Sequence, residues 1–416
     1  MLVPVFYDNL FILISIEVPM IVIGGGLGGL LTAALYPNVI LFEKTSNLGG
    51  RFRNIPHRGF QLTTGALHMV PHGSKGPLAQ LLQKAGADCT IVDSDPIATF
   101  YYDKELRFRQ VLKEIGFTEK LRLYVMLLEM KYRKGGKKSF QEYLEKRTSN
   151  EMVHNGFRSF CTWSLSLKPD EVPCREMFSI VKFLFKYMGP GVPVGGCSGI
   201  IAALQKVIVK KGNTIIHKKV VDISADENVY GVTDEDGKEY TDSIVVSDIG
   251  AKATSTLVKF PQEYQKKIDS ITPSEGMKYS VASKEPLIWH NGIMLTPGLN
   301  YIGGVNQVTN VDPSLAPQGY HLVMAHQRIT SSNFKKEKER GLEELEILFK
   351  GKKYEVLAAQ IYRENNPVNY AASGQDLDQK TPIEGLYLVG DCAKGKGGIE
   401  VEGIALGVER LTRMVK

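Results

Sequence analysis

The strongest constraint on the fold is a glycine-rich turn between two short apolar runs near the start of the chain. Met20–Ile23 reads MIVI, a continuous apolar run of the kind that is buried in parallel sheets. The turn that follows has the spacing Gly24-x-Gly26-x-x-Gly29, and a short helical pattern and a second apolar run then lead to Glu43. This order predicts a βαβ unit.

The spacing of the turn suits a phosphate group. Gly24 permits a tight turn, Gly26 lets the backbone approach a pyrophosphate, and Gly29 lets the helix pack on the strand. The helix N-terminus offers free N–H donors and a positive dipole, and Glu43 can accept both hydroxyls of an adenosine ribose. A glycine turn with an incidental acid is the alternative, but strand, turn, helix, strand and acid within one short stretch favour dinucleotide binding.

This unit leaves NAD and FAD open, and three further features favour FAD. Arg51, in the run LGGR, can return to the pyrophosphate with charge-assisted hydrogen bonds. Gly390 and Asp391 end a late strand and give a carboxylate for ribityl or phosphate-side hydroxyls. The run VEGIALG, which begins at Val401, opens a helix whose dipole can face the pyrimidine edge of a reduced flavin.

Together these motifs resemble a known group of flavoproteins. VIGGGLGGL, LFEK and LGGR at the front, PVGG in the middle, and LYLVGD with VEGIALG at the end are similar to the amine oxidase and phytoene desaturase superfamily, nearest to phytoene dehydrogenase-like proteins. The resemblance runs from Met20 through the chain. It implies an α/β fold (α+β overall), with a Rossmann-like FAD-binding domain of the glutathione-reductase type and an inserted substrate domain of mixed sheet and helices.

The resemblance also implies which residues bind FAD. Those expected at the ADP half and the pyrophosphate are Gly24, Gly26, Leu27, Gly28, Gly29, Glu43, Lys44, Gly50 and Arg51. Val220 is expected to touch adenine through its backbone, and Gly390 and Asp391 to hold the ribityl–pyrophosphate region. Those expected beside the flavin ring are Gly65, Ala66, Leu67, Val401, Glu402 and Gly403.

The pattern of elements predicts two discontinuous domains. The FAD-binding domain is expected to comprise residues 20–75, 190–272 and 376–416, and the substrate domain residues 76–189 and 273–375. Residues 1–19 are interpreted as an N-terminal appendage, because their apolar stretch has no basic residue before it and no small-residue cleavage site.

Substrate specificity is expected in the helical middle of the chain. In MFSIVKFLFKYM, residues 177–188, nine of twelve side chains are apolar, which fits a buried core helix or the wall of an apolar tunnel for an isoprenoid or carotenoid. The predicted reaction moves an allylic hydride between such a substrate and flavin N5. The sequence identifies no catalytic residue and no electron acceptor.

Two other functions remain as alternatives. A flavin amine oxidase often has a lysine near flavin N5 and aromatic residues beside the ring; Lys284 resembles that lysine, but CAKGKGGIE before the last helix contains no aromatic residue. A non-catalytic prenyl-binding protein of the same fold would need no flavin, and the glycine turn, Glu43 and Asp391 argue against it.

Composition excludes several classes of partner. The 51 basic and 45 acidic side chains give a net charge of +6, which is too dilute to predict nucleic-acid binding. Five cysteines without a CxxC pair exclude a zinc ribbon and a disulfide framework and favour the cytoplasm, and the histidines predict no metal site. Five basic residues in eight positions, Lys131–Lys138, predict a solvated loop or a peripheral contact with an anionic membrane.

Overall fold

The computed structural model of the protein describes residues 2–7, 10–15, 20–65 and 67–415. Within these ranges the strands, in chain order, are β1 Leu2–Tyr7, β2 Leu10–Ser15, β3 Met20–Ile23, β4 Val39–Phe42, β5 Asn54–His57, β6 Phe60–Thr63, β7 Ile91–Asp93, β8 Ala98–Tyr101, β9 Glu105–Arg107, β10 Gly191–Pro193, β11 Thr214–Ile216, β12 Val220–Ala225, β13 Val229–Asp234, β14 Glu239–Thr241, β15 Val245–Ser247, β16 Gly276–Ser283, β17 Ile293–Leu295, β18 Ile302–Gln307, β19 His321–Arg328, β20 Glu355–Tyr362 and β21 Leu386–Leu388.

The α-helices within the same ranges are α1 Leu27–Leu35, α2 Pro77–Ala85, α3 Phe108–Glu114, α4 Phe117–Tyr132, α5 Phe140–Glu145, α6 Glu151–Leu165, α7 Cys174–Tyr187, α8 Gly196–Lys210, α9 Ala251–Thr254, α10 Gln262–Asp269, α11 Phe334–Leu348 and α12 Glu400–Met414. The predicted βαβ unit is therefore present as β3, α1 and β4. None of these helices is both long enough and apolar enough to cross a bilayer, within the described part of the chain.

A five-stranded parallel sheet lies beneath the glycine turn. Its strand order is β11-β4-β3-β15-β21, and every neighbouring pair is parallel. From β3 the chain passes through α1 to β4 on one side, whereas β15 and β21 on the other side come from much later in the sequence. Open α/β sheets bind ligands in the crevice that forms at such a switch, outside the carboxyl ends of the strands.

Both faces of this sheet are covered, which explains the continuous apolar run of β3. On one face, α1, α8 and α12 bury Leu30, Leu204 and Leu411 in a common core. On the other face, Val232 of β13 and Ile268 of α10 belong to a second core. A strand enclosed in this way has no solvent-facing side chains, so its sequence shows no alternation.

A second, mixed sheet has the order β20-β16-β19-β18-β17-β8-β9. Its pairs are antiparallel except for β17 with β8. Strand β16, between β20 and β19, is buried at all eight positions, and α4 to α7 contribute a separate apolar core that includes Met126, Phe140 and Met177. The strands of this sheet come from residues 98–107 and 276–362; the boundaries of the two domains, and residues 1–19 as an appendage, stay predictions.

Candidate cofactor site

The glycine turn lies where β3 ends and α1 begins. Gly24 has a φ of +102°, a conformation that residues with side chains rarely adopt. A Cβ on Gly29 would lie 2.0 Å from the carbonyl oxygen of Gly24, so α1 approaches the turn only because this side chain is missing. A Cβ on Gly50 would lie 3.5 Å from the Cα of Gly26. These two glycines therefore face each other and keep a passage open beside the N-terminus of α1.

Glu43 fastens the turn to the end of β4. Its Oε2 accepts a hydrogen bond from the backbone N–H of Gly25 at 2.9 Å. Its Oε1 accepts from the backbone N–H and the hydroxyl of Thr45, both at 2.9 Å. The carboxylate is half-exposed and lines the cleft beside Lys44, where the sequence predicts an acceptor for the ribose hydroxyls.

Asp248 belongs to the site although none of the motifs indicated it. It follows β15, and its Oδ2 accepts a hydrogen bond from the backbone N–H of Gly29 at 2.8 Å. Burial raises the pKa of Asp248 to about 7, opposed by the Gly29 N–H and by Arg51. The usable signal was positional, since an acid directly after the buried run VVS lies at the carboxyl end of a parallel strand. There it reaches the anion-binding end of α1.

Arg51 and Asp391 join the front and back motifs in an ion pair. Arg51 Nη2 lies 2.5 Å from Asp391 Oδ2, and Arg51 Nη1 donates to the carbonyl oxygens of Pro367 and Val368 at 2.6 and 2.9 Å. Burial alone would raise the pKa of Asp391, but Lys394 and Arg51 hold it below its usual range. The two residues thus meet as the sequence predicts for the pyrophosphate region.

At the other end of the cleft, a buried lysine holds the loop that contains Gly65. Lys278 Nζ donates to the carbonyl oxygens of Thr63 and Gly65, both at 2.9 Å, and to the Thr63 hydroxyl. The Tyr362 hydroxyl donates to the same Gly65 oxygen at 2.6 Å. Burial lowers the pKa of Lys278 to about 7. Ala66, also predicted here, lies outside the described residues.

The lysine at this end is therefore not the one that the sequence suggested. Lys284 is exposed, with its Nζ 5.6 Å from the ring centroid of Tyr320. It lies one residue beyond β16, whereas Lys278 lies within that wholly buried strand. In the sequence, Lys278 could have been identified because it lies inside an otherwise uncharged run, GMKYSVAS.

The cleft between these groups has a volume of about 380 Å³. Eleven predicted residues line it: Gly24, Gly26, Leu27, Glu43, Lys44, Gly50, Arg51, Gly65, Leu67, Asp391 and Val401. Val220 instead lines an adjoining cavity that shares Gly24, Glu43 and Lys44 with the cleft. Its contact with adenine stays a prediction.

Three predicted glycines lie behind the cleft and serve packing. A Cβ on Gly28 would lie 2.8 Å from the backbone nitrogen of Gly390, so these two glycines let α1 approach the end of β21. Gly29 likewise lets α1 approach Gly24. They shape the cleft from behind.

Glu402 and Gly403, predicted beside the flavin, are not among the residues that line the cleft; their contact with the flavin stays a prediction. Glu402 is fully buried and accepts hydrogen bonds from the backbone N–H groups of His72 at 3.0 Å and Leu78 at 2.7 Å. It thereby caps the N-terminus of α2, and burial raises its pKa to about 7. A Cβ on Gly403 would lie 2.8 Å from the Gly398 oxygen. Both positions therefore serve packing.

A second cavity, of about 690 Å³, adjoins the cleft beside α7. Asn369 and Glu400 line both spaces. Glu400 begins α12 with a φ of +46°, a left-handed conformation that is strained for a residue with a side chain. Burial raises the pKa of Glu400 to about 8, helped by Asp391. A carboxyl group that is protonated at neutral pH thus lies at the junction.

The apolar helix predicted over residues 177–188 contributes side chains both to a core and to the wall of this cavity. Met177 and Val181 of α7 are buried in the core, while Phe178, Ile180 and Lys182 line the cavity. Arg175 also lines it. The cavity is therefore apolar on part of its wall and charged on another, rather than the wholly apolar tunnel that the sequence suggested.

The contacts of His68 are those of a structural residue rather than of a metal ligand. Its Nδ1 accepts a hydrogen bond from the Cys197 N–H at 3.1 Å, and its Nε2 lies 2.7 Å from the carbonyl oxygen of Gln61. Burial lowers the pKa of His68 to about 4. In the part of the chain that the structure describes, no three His, Cys, Asp or Glu side chains come together in a way that could hold a metal ion.

Proteins of known sequence or structure share this architecture. The chain is 44% identical over 402 residues to an uncharacterised protein of Methanocaldococcus jannaschii, covering 95% of this chain and 98% of that one. The crystal structure of an oxidoreductase from Methanosarcina mazei matches with a TM-score of 0.90 and 40% identity, over 95% of this chain and 100% of the other. Putrescine oxidase shares the fold, with a TM-score of 0.71 and 14% identity over 95% of this chain and 98% of its own.

The family model described as flavin-containing amine oxidoreductase matches residues 30–400. The cleft fits the cofactor: Gly24, Gly26 and Gly50 line it with backbone, and α1 and Arg51 offer positive charge to a diphosphate. The predicted fold class and the prediction of FAD are thereby confirmed, whereas the nearer placement among phytoene dehydrogenase-like proteins stays a prediction. The chain belongs to the flavin-containing amine oxidoreductase family, and its cofactor is FAD.

Proposed function

We propose that the protein moves a hydride between FAD and an unsaturated substrate with an apolar body that binds in the cavity beside α7. The observation that carries the proposal is the junction formed by Asn369 and Glu400, which line both the cleft and the cavity. Leu165, Phe178 and Ile180 supply apolar wall, and a substrate held there would reach the flavin end of the cleft.

In this reaction Glu400 serves as the proton-transfer group. When bound in the cleft, FAD would supply the hydride acceptor or donor. When a double bond forms, the adjacent carbon releases a proton to the Glu400 carboxylate; when a double bond is saturated, the Glu400 carboxyl group donates that proton. A pKa near 8 suits the second direction at neutral pH, because the group is then protonated.

Amine oxidation is the second candidate, and one observation favours it. Lys278 is a buried lysine at the flavin end, the type of residue expected there in a flavin amine oxidase. The residues that line both spaces, Asn369 and Glu400, are however polar rather than aromatic, so the aromatic surround of an amine site is missing at this junction. The non-catalytic prenyl-binding alternative ranks third, because the cleft retains its glycine turn, Glu43 and Asp391.

The test is anaerobic mixing of oxidised and reduced holoprotein with isoprenoid polyenes and with amines, followed by flavin absorbance. We expect polyenes to change the flavin redox state and Glu400→Gln to slow that change roughly a hundredfold or more. Glu176→Gln, in the same cavity but away from the cleft, is the matched control. Desaturation should quicken as pH rises through about 8 and saturation should slow, because Glu400 loses its proton there.

Flavin reduction by amines and not by polyenes would replace the proposal with amine oxidation. Protein that stays colourless after incubation with FAD would support the non-catalytic alternative.

A further inference from the structure

Helix α4 has apolar side chains on two opposite faces. Leu123, Met126 and Met130 face inward and are buried. On the outer face, six large apolar side chains are between 46% and 82% exposed: Phe117, Leu121, Tyr124, Val125, Leu128 and Tyr132. At 3.6 residues per turn these six fall within an arc of about 100°, and we call them the apolar stripe. Exposed apolar surface of this size usually marks an interaction site.

The stripe continues onto the neighbouring helix. Phe185 of α7 is 44% exposed, and Lys131 Nζ lies 4.9 Å from its ring centroid and 5.1 Å from that of Tyr132. The aliphatic stem of a lysine can lie along apolar surface while its ammonium group reaches outward. The outer surface therefore combines aromatic and aliphatic side chains with a cation among them.

The charge of the chain is concentrated around the stripe. Residues 104–138 contain eleven basic and four acidic side chains, a net charge of +7 in 35 residues. The other 381 residues contain 40 basic and 41 acidic side chains, a net charge of −1. Five of the basic residues form a cluster directly beyond the stripe: Lys131, Arg133, Lys134, Lys137 and Lys138. The excess positive charge of the chain thus lies in the segment that contains α4 and the basic cluster.

We propose that this face docks on a membrane surface that carries anionic lipid headgroups, with the apolar stripe in the interfacial layer and the basic cluster on the headgroups. A helix that lies in the interface has an apolar face flanked by lysine and arginine, as α4 has. Negative headgroups complement the charge of +7. A second copy of the chain would bring the same positive segment against itself, so charge disfavours self-association through this face.

The docking face also borders the cavity. Lys134 and Gly135, which follow α4, line the cavity beside α7. A lipid-soluble substrate could therefore enter from the membrane side, a point that rests on the proposed function. Docking itself requires no flavin chemistry and can be tested by measuring lipid binding alone.

The experiment is co-sedimentation of holoprotein with vesicles of phosphatidylcholine, with or without about 30% phosphatidylglycerol, at salt concentrations below and above about 0.1 M. We expect binding only with phosphatidylglycerol, weakened by salt. The triple variant Phe117→Ser, Leu121→Ser and Leu128→Ser should bind at least about tenfold more weakly. Replacing any one of the five basic residues of the cluster by Gln should weaken vesicle binding roughly fivefold.

Matched controls come from exposed residues elsewhere on the surface. Val209→Ser with Trp289→Ser removes exposed apolar side chains, and Gln at Lys335, Lys336, Lys350, Lys352 and Lys353 removes five exposed charges; both should bind like wild type. Flavin content and thermal unfolding show whether each variant is folded. Equal binding to neutral vesicles, unchanged binding by folded stripe variants, or a dimer in light scattering that the triple variant dissociates would overturn the proposal.

Discussion

The two ends of the FAD cleft differ in the groups that form them, backbone at one end and side chains at the other. The end at α1 consists of backbone: Gly24, Gly26 and Gly50 lie within about 30 residues of sequence and act by having no side chain. The flavin end consists of side chains from distant segments, with Lys278 from the mixed sheet and Glu400 from the last helix. The first end suits the phosphate groups of a dinucleotide, and the second has the groups that can vary the chemistry.

This comparison teaches where the protein tolerates change. At Gly29 an added methyl group would meet the backbone carbonyl oxygen of Gly24, so substitution should abolish the site. At the flavin end a side chain can be replaced while the cleft persists. Four substitutions test this contrast, and they are ordered by the size of the expected effect.

The largest effect is expected from Gly29→Ala. Its Cβ would lie 2.0 Å from the Gly24 carbonyl oxygen, so α1 must shift, at a cost of about 3 kcal/mol in the free energy of unfolding. We expect purified protein without flavin absorbance and with a lower unfolding temperature. Gly136→Ala, where a Cβ meets nothing within 4 Å, is the control. A yellow, stable Gly29→Ala variant would show that the glycine end is not rigid.

Lys278→Met should have the next largest effect. Met is of similar length but leaves the Thr63 and Gly65 carbonyl oxygens with one donor fewer, which costs about 1–3 kcal/mol. Because burial lowers the native pKa of Lys278 from 10.5 to about 7, the stability of the wild type should fall as pH falls from about 10.5 to about 7 and then level off, and the variant should lose this dependence. Urea unfolding at several pH values measures both effects, and Lys284→Met is the control. A larger effect of Lys284→Met than of Lys278→Met would indicate that Lys284, rather than Lys278, is the lysine at this end of the cleft.

Asp248→Asn tests the α1 end through charge rather than shape. With a pKa near 7, wild-type Asp248 is ionised above neutral pH and then repels the diphosphate of FAD. We expect wild-type affinity for FAD to fall on the order of tenfold between pH 6 and pH 8, whereas the Asn variant should bind equally at both. Quenching of flavin fluorescence measures the dissociation constant. Parallel pH profiles for the two proteins would remove Asp248 from the anion site.

The smallest effect is expected from Glu402→Gln. Its carboxylate caps α2 away from the cleft, so we expect a loss of about 1 kcal/mol in stability and an unchanged flavin spectrum. Because its pKa is raised to about 7 in the folded state, wild-type stability from this group declines as pH rises through 7. Urea unfolding at pH 6 and pH 8 should show a smaller decline in the variant. A shifted flavin spectrum would restore Glu402 to the cleft.

The sequence indicated the strand, the glycine turn and Glu43 because these are local in the chain, whereas Asp248, which reaches the same end of α1 from β15, was missed. The strand, the glycine spacing and Glu43 belong to one βαβ unit, and their geometry follows from the backbone. Lys278, Asn369 and Glu400 could not be predicted in the same way, since the order of strands in two sheets decides which distant residues meet.

Glu402 lies away from the cleft lining for a simpler physical reason. Consecutive residues of a helix point about 100° apart, so Val401 can line the cleft while Glu402, one position later, points into the core against α2. The motif VEGIALG gives the start of the helix without giving its rotation. The side chains of three consecutive residues therefore cannot all line the cleft from one face of α12.

The order of strands in the parallel sheet also has a consequence for the making of the protein. Strand β21 and Asp391 arise near the far end of the chain, yet β21 pairs with β15 and Asp391 with Arg51. A nascent chain folds from its N-terminus as it leaves the ribosome, and it shows its glycine turn long before the partner of Arg51 has been synthesised. The complete flavin cleft can therefore form only after nearly the whole chain has been synthesised.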